Sequence, residues 1–243
     1  MDTSKLWFAS WFDTPYYHIL YNNRDDSEAE FFIRNLKDKL SLSNENVLDL
    51  ACGKGRHSKY MHELGLSVLG VDLSEQSILK ANEFSQEKLH FQVHDMREVI
   101  PNHQFDIVFN LFTSFGYFDD DNENHSVLQS VHTMLKEKGR LVIDFMNAER
   151  IINCLVSNET KIVEGISFEI KRIFDGKFIH KYIDFEDQGT NYSFVEKVRA
   201  FKLADFLDLL TNNGFSILHV FGDFELNPFH SETSERLILI AQK

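Results

Sequence analysis

A short apolar segment followed by a glycine-rich turn is the first place where this sequence could bind a ligand. Residues 47–58 read VLDLACGKGRHS. Glycines at a strand-to-helix turn let a ligand approach the backbone closely and expose the N–H groups of the following helix. Asp49 lies inside the strand end, where a carboxylate would repel a pyrophosphate and attract a cation. Ser58 stands where a dinucleotide-binding loop would have its third glycine. The alternative is a tight turn with a buried capping Asp.

Two more acidic residues follow the next two predicted strands. Asp72 ends the second strand, roughly 20 residues after the glycine loop, where an acid can accept hydrogen bonds from both ribose hydroxyls. Asp95 and Met96 follow the third strand. There a carboxylate can accept a hydrogen bond from an adenine amino group while the methionine packs on the ring. An isolated Asp after a strand is more often a turn residue, but the set predicts nucleoside binding.

Alternating strands and helices must position these residues. Short apolar strands at 47–50, 67–71, 89–94, 105–111 and 140–145 alternate with segments of helical period. This alternation predicts an α/β fold, with a doubly wound, mostly parallel sheet of seven strands and helices on both faces. The carboxyl ends of parallel strands share one edge, so we expect the acidic residues to converge there.

The pattern changes after residue 150. From about residue 161 to 201 the helical period disappears, and Asp175-Gly176 between two apolar pairs is typical of a β-hairpin turn. We interpret residues 151–200 as a small inserted antiparallel β subdomain that forms a substrate wall or lid. Residues 1–150 and 201–243 form the ligand-binding domain, with 1–40 as an N-terminal helical cap.

Five segments together resemble the class I methyltransferases that depend on S-adenosylmethionine (SAM), over nearly the full length. The nearest pattern is that of the small-molecule and nucleotide-sugar amine N-methyltransferases. The resemblance implies a Rossmann-like fold, SAM as methyl donor and S-adenosylhomocysteine (SAH) as product. The shared segments are LDLACGKGRHS at 48–58, GVDLS at 70–74, HDMRE at 94–98, FDIVFNLFTSFGYF at 105–118 and the final strand RLILIAQK at 236–243.

The glycine loop and the resemblance together predict the site. Arg24 is expected to reach the methionine carboxylate of SAM, an interaction suited to a guanidinium fork. Tyr117, in the loop after the fourth strand, is the first candidate to face the methyl acceptor as a catalytic residue, and Tyr16 is the second. The predicted cofactor-binding residues are Arg24, Asp49, Ala51, Gly53, Gly55, Asp72, Leu73, Asp95, Met96 and Leu111.

The acceptor is less defined than the cofactor. An amine only has to be unprotonated whereas a hydroxyl needs a base, so an amine is slightly preferred over an oxygen acceptor. Asn110-Leu-Phe-Thr lacks the Asn-Pro-Pro-Tyr type of motif associated with methylation of base or amide nitrogens. Two other functions stay open. A nicotinamide-dependent oxidoreductase is disfavoured by Asp49 and Ser58, and a non-catalytic SAM-fold binding module is the other alternative.

Composition restricts the partners. The formal net charge of −13 argues against nucleic acid, because an acidic surface repels phosphates. Two cysteines cannot form a disulfide framework, and no signal peptide or membrane span is evident, so we expect a cytoplasmic protein that acts on a small molecule. The 11 histidines show no metal-ligand clustering, so no metal is predicted; Asp144 and Asn147 suggest a magnesium site only weakly. Homodimer formation is left open.

Overall fold

The structure is a computed structural model that describes residues 7–21 and 26–243. Within these residues the chain alternates strands and helices up to residue 153 and then forms four consecutive strands. The helices are α1 Trp7–Trp11, α2 Pro15–Leu20, α3 Asp26–Leu40, α4 Arg56–Glu63, α5 Glu75–Ala81, α6 Asp121–Met134, α7 Ala148–Asn153 and α8 Leu203–Asn212. The strands are β1 Asn46–Leu50, β2 Ser67–Asp72, β3 Leu89–Val93, β4 Phe105–Asn110, β5 Leu135–Met146, β6 Asn158–Val163, β7 Ile166–Phe174, β8 Phe178–Asp187, β9 Thr190–Arg199, β10 Ser216–Phe221 and β11 Arg236–Gln242.

The main sheet has seven strands in the order β10-β11-β5-β4-β1-β2-β3. Only β11 runs against its neighbours, pairing antiparallel with both β10 and β5, so the predicted architecture is confirmed. The inner strands β1 and β4 are almost entirely buried, as expected where helices cover both faces of a sheet. Two separate apolar clusters, one on each face, form the core. In the described part of the chain, no helix is long and apolar enough to cross a membrane.

The inserted segment forms a second sheet of four antiparallel strands in the order β6-β7-β8-β9. The hairpin predicted at Asp175-Gly176 connects β7 to β8. The Asp175 carboxylate accepts hydrogen bonds from the backbone N–H groups of Lys177 (2.8 Å) and Phe178 (2.6 Å), and Gly176 takes a φ of +97° that a side chain would disfavour. The antiparallel sheet occupies residues 158–199, inside the predicted insertion.

The helices at the N-terminus pack on two different sheets. Helix α3 buries its apolar face against the main sheet, in the same cluster as β1 and β2. Trp11 of α1 and Leu20 of α2 instead share a cluster with Phe168 and Ile183 of the antiparallel sheet. Within the predicted cap, residues 1–40, α3 therefore packs on the main sheet, and α1 and α2, the cap helices, pack on the inserted sheet, although Phe8 of α1 also belongs to a main-sheet cluster.

Candidate active site

A cavity of about 400 Å³ lies where the loops after β1, β2, β3 and β4 converge. It brings together nine of the residues predicted from the sequence, contributed by four loops. Arg24 lies outside the described residues, and neither Gly55 nor Tyr16 contributes to the wall. The predicted residues that line this first cavity are Asp49, Ala51, Gly53, Asp72, Leu73, Asp95, Met96, Leu111 and Tyr117.

The two glycines of the loop have different roles. Gly53 has a φ of +56°, and a Cβ added there would meet nothing within 4 Å, so the backbone at this position borders open space. Gly55 has a φ of +80° and precedes α4, but a Cβ there would lie 2.7 Å from the Phe91 ring. Gly53 is therefore the position where a ligand can approach the backbone, whereas Gly55 lets the loop pack on β3. The prediction that Gly55 lines the ligand cavity is thus corrected.

Asp49 is the most buried acid of the site. Its side chain is 1% exposed and accepts a hydrogen bond of 2.5 Å from the Ser58 hydroxyl. Burial, together with the nearby charge of Asp72, raises the pKa of Asp49 to about 6, although the Ser58 hydroxyl opposes the shift. The serine that replaces the third glycine thus supports a carboxylate that a cationic ligand would stabilise.

Asp72 connects the end of β2 to the glycine loop. One carboxylate oxygen accepts the Gly53 N–H at 2.8 Å, and the other accepts the Ser74 N–H at 2.9 Å. Burial raises the pKa of Asp72, and these backbone donors oppose the rise. Each carboxylate oxygen can accept more than one hydrogen bond, so both can also receive hydroxyl groups of a ligand in the cavity.

Asp95 is held by a residue that the sequence reasoning did not identify. Arg97 donates from Nε to Asp95 Oδ1 at 2.9 Å and also pairs, through short contacts, with Asp95 and Glu123. Burial alone would raise the pKa of Asp95, but the Arg97 side chain and backbone N–H lower it below the ordinary value. The guanidinium also lies 4.9 Å from the centroid of the Phe118 ring. The sequence signal for this contact was the arginine in HDMRE. A guanidinium two residues after a carboxylate can donate two hydrogen bonds to that carboxylate and hold it in place.

A second cavity of about 300 Å³ adjoins the first. Its remaining wall comes from Thr113, β5, α7, the antiparallel sheet and Arg236, so strands of the insertion line this cavity. The two cavities share five lining residues, all aromatic. These residues, which we call the aromatic partition, are Phe12, Tyr17, Tyr21, Phe112 and Tyr117.

A strained turn shapes one side of the aromatic partition. Phe112 and Thr113 both have positive φ values, 65° and 61°, which non-glycine residues rarely adopt. The fully buried Asp144 secures this turn, because its carboxylate accepts the Phe112 N–H at 2.9 Å and its carbonyl accepts the Thr113 N–H at 2.8 Å. Arg236 forms an ion pair with Asp144 at 2.7 Å. The oxygens of Asp144 thus have structural partners, which removes the weak indication of a magnesium site there.

Tyr117 lines both cavities, in keeping with the hypothesis that it faces the acceptor. Its hydroxyl donates to the Thr113 carbonyl at 2.6 Å. The ring packs against Trp7 and Phe12, with centroids 5.3 and 5.6 Å away. The phenol is therefore held in one orientation at the point where the cavities meet.

Tyr16 does not face either cavity, which corrects the prediction that it contacts the substrate. Its hydroxyl donates to Asp187 at 2.9 Å, and its ring packs on Phe185 and Tyr192 of the antiparallel sheet. The reason is helical geometry: Tyr17 and Tyr21, four residues apart, share the face directed at the cavities, and Tyr16 points elsewhere. The i, i+4 spacing of these tyrosines was the signal that could have identified them.

His18, on α2, is another residue of the first cavity that was not predicted. Burial and the charge of Lys54, which outweigh the opposing effect of Asp13, lower the pKa of His18 to about 4. Its imidazole is therefore neutral near pH 7. A neutral ring adds no positive charge to a cavity that contains three carboxylates.

A loop of glycines and three carboxylates at the carboxyl edge of such a sheet are typical of a nucleoside-binding α/β domain, and the adjoining cavity leaves room for a second ligand. A family model for the methyltransferase domain matches residues 41–199. Glycine/sarcosine N-methyltransferase from Aphanothece halophytica is 30% identical over 93% of this chain and 85% of that protein. The putative methyltransferase YqeM from Bacillus subtilis is 31% identical over 97% of this chain and 96% of that protein.

Solved structures have the same fold. A SAM-dependent methyltransferase from Clostridium acetobutylicum superposes with a TM-score of 0.79 at 20% identity, over 93% of this chain and 95% of that chain. The SAM-bound amino pentose methyltransferase CalS10 from Micromonospora echinaspora gives a TM-score of 0.72 at 18% identity, over 94% and 97%. The chain belongs to the SAM-dependent methyltransferase family, and its cofactor is SAM.

Proposed function

We propose that this methyltransferase transfers the methyl group of SAM to the nitrogen of a small-molecule amine. The observation that carries the proposal is the pair of adjoining cavities, which meet at the aromatic partition. A donor in the first cavity and an acceptor in the second would meet beside Tyr117. Holding two reactants in line supplies much of the rate of such a displacement.

The first cavity suits SAM. The Asp72 carboxylate would accept the ribose hydroxyls, and Asp95, held by Arg97, would accept the adenine amino group. Asp49 supplies negative charge for the cationic methionine part of SAM. When bound, SAM supplies a methyl group on a positively charged sulfur, a good leaving group. The chain's own residues would bind this group, orient it and exclude water.

The second cavity favours an amine over a hydroxyl. Among the described residues that line it there is no histidine and no aspartate, and its one carboxylate, Glu196, accepts hydrogen bonds from Trp11 Nε1 and the Tyr21 hydroxyl. A hydroxyl acceptor would need a base there, whereas an amine loses its proton to solvent before it reacts. Similar proteins with amine N-methyltransferase names include the glycine/sarcosine enzyme of Aphanothece and the glycine/sarcosine enzyme of Halorhodospira halochloris.

The proposal includes the cellular setting. The net charge of −13 disfavours nucleic acid as acceptor. Cys52 and Cys154 are both free thiols, as expected in the reducing cytoplasm. We therefore place the reaction on a metabolite in the cytoplasm.

The test combines turnover with cofactor binding. The full chain is incubated with SAM and matched amines and alcohols, and SAH is quantified. We expect SAH to form with amines at rates that rise with pH as each amine deprotonates. Asp72→Asn should weaken SAH binding by calorimetry about 5- to 150-fold, the equivalent of ~1–3 kcal/mol for a lost charged acceptor. Asp184→Asn is the control, because it removes the same negative charge at an exposed position on β8. Turnover of alcohols alone, or full SAH affinity in folded Asp72→Asn, would contradict the proposal.

A further inference from the structure

One row of charged side chains crosses a mostly apolar face of strands β7, β8 and β9. Arg172 on β7, Lys181 on β8 and Glu196 on β9 are direct cross-strand neighbours. Because side chains alternate between the faces of a strand, the rows two residues away lie on the same face. On β7, β8 and β9 these flanking rows are apolar: one is Ile170, Ile183 and Phe194, which Glu159 of β6 extends, and the other is Phe174, Ile179 and Val198.

The adjacent cations of the charged row lower the stability of the antiparallel sheet. Two like charges directly opposite each other on neighbouring strands are destabilising, and the side chains of Arg172 and Lys181 are only 23% and 13% exposed. Each cation has a carboxylate partner, since Glu159 lies 2.7 Å from Arg172 and Glu196 lies 3.6 Å from Lys181, and Lys181 also donates to the Tyr21 hydroxyl. A guanidinium has five N–H donors. Arg172 uses NH1 for the Val156 carbonyl at 3.3 Å and NH2 for Glu159, so its fork retains donor capacity.

All three residues of the row line the second cavity. Arg236 adds another cation to the wall, although its charge is matched by the buried Asp144. The charged row thus borders the space that the acceptor would occupy, where an anionic group of a ligand would be attracted by the two neighbouring cations, Arg172 and Lys181.

Apolar side chains lie beside the charged row in the same wall. Met146, Ile151, Ile179 and Val198 line the second cavity there. An acceptor with an apolar portion would bury that portion against these side chains and leave its anion at the charged row.

We propose that the acceptor is an α-amino acid with an apolar side chain, whose carboxylate binds at Arg172 and Lys181. Its side chain packs on Ile151 and Ile179, and its amine faces the aromatic partition. The identity of the acceptor rests on the proposed N-methylation. The anion site itself rests only on the charged row and its cavity.

The anion site can be tested without turnover. Calorimetry on the SAH complex of the full chain compares 3-phenylpropionate with its neutral analogue 3-phenylpropanamide. We expect the acid to bind at least about tenfold more tightly than the amide. Arg172→Met should abolish this preference while SAH affinity stays unchanged. Lys171→Met is the matched control, because Lys171 is the neighbouring residue on β7 and its exposed side chain lies on the opposite face.

Equal binding of acid and amide to the wild-type complex would overturn the anion site, and this comparison needs no variant to fold. Retention of the preference in folded Arg172→Met would also overturn it. A second assay measures SAH formation with L-phenylalanine, phenethylamine and glycine, and we expect L-phenylalanine to be the best acceptor by at least about tenfold. Equal turnover of phenethylamine would refute the amino-acid acceptor and leave N-methylation intact. Arg172-dependent binding of 3-phenylpropionate with no turnover of any amine would uphold the anion site and refute N-methylation.

Discussion

The three carboxylates that line the first cavity differ in what compensates their charge. Asp95 has a guanidinium, and Asp72 has two backbone N–H groups. Asp49 accepts from the Ser58 hydroxyl, a neutral donor, and burial raises its pKa to about 6. Asp49 is therefore the carboxylate whose ionisation is most sensitive to the arrival of a cation.

Cofactor affinity should accordingly depend on pH through Asp49. A bound sulfonium or ammonium favours the ionised carboxylate, so binding lowers the pKa of Asp49 and affinity increases as pH rises through about 6. If binding lowers this pKa by one unit, the Kd for SAM should fall about fivefold between pH 5 and 7. Asp49→Asn should bind SAM more weakly than the wild type at pH 7. Its affinity for SAM should depend less on pH, and the remaining dependence should come from Asp72, whose pKa is also raised. Calorimetry at several pH values measures this, and a flat wild-type profile would exclude the coupling.

The phenol of Tyr117 gives a second prediction at this scale. Tyr117→Phe retains the ring in the aromatic partition and deletes the hydroxyl that donates to the Thr113 carbonyl. We expect kcat/KM to fall at least about tenfold, or ~1.4 kcal/mol, because the acceptor loses an orienting group. SAH affinity should be unchanged.

Steady-state kinetics with calorimetry separates transfer from cofactor binding in Tyr117→Phe. Tyr60→Phe, on α4 and away from both cavities, is the matched control. Full activity in Tyr117→Phe would mean that Tyr117 serves only to pack the partition.

At the scale of elements, strands and turns could be predicted because their signals are local. The glycine loop marks the junction of β1 and α4, and Asp175-Gly176 marks a hairpin in which Gly176 takes a positive φ. The position of the cap helices had no local signal. Trp11 and Leu20 are apolar at helical spacing whichever sheet they cover, and only the tertiary structure shows that they pack on the antiparallel sheet. The prediction of Tyr16 considered that residue alone and did not use the i, i+4 spacing of Tyr17 and Tyr21.

Because the cap helices contribute to the first cavity, we expect Trp11, which lies outside both cavities, to affect cofactor binding. Trp11 is 1% exposed, its ring lies 4.5 Å from that of Phe194, and its Nε1 donates to Glu196. Trp11→Ala should destabilise this contact by ~3–5 kcal/mol. Because Tyr17 and His18 of α2 line the first cavity, we expect weaker SAH binding and faster hydrogen exchange in α2.

Ile162→Ala is the control, since this residue of the same sheet is 73% exposed. It should leave SAH affinity and exchange unchanged. Unaltered SAH affinity in Trp11→Ala, with the main sheet still folded, would show that the cap does not hold the cofactor.

For the whole molecule, ligand binding should appear as added stability. SAH at 100 times its Kd contributes ~2.7 kcal/mol to the free energy of unfolding. A chain of 243 residues should then show a rise in Tm of roughly 5–10 °C. NAD should give no comparable shift, because Asp49 repels its pyrophosphate. Thermal denaturation with each ligand measures this, and an equal shift with NAD would revive the oxidoreductase alternative.

At the same scale, the cofactor side of the molecule was predictable and the acceptor side was not. Asp72 and Asp95 could be placed because parallel strands bring their carboxyl ends to one edge. The second cavity is assembled from β5, α7, the antiparallel sheet and Arg236, segments far apart in sequence. Arg172 and Lys181 look like ordinary surface charges until the register of β7 and β8 sets them side by side.

The shared core of the cap helices and the inserted sheet also determines how this enzyme can be recombined with others. Moving residues 158–199 alone into another methyltransferase would expose Phe168 and Ile183, and would leave Trp11 and Leu20 of this chain without their partners. The unit that can be exchanged is therefore discontinuous. It consists of α1 and α2 together with the inserted sheet, which begins more than a hundred residues later in the sequence. In a chimera, replacing the sheet without the helices would disrupt their shared core. New acceptor preferences would therefore arise more easily from substitutions of side chains within this unit, and the same holds for a duplicated gene.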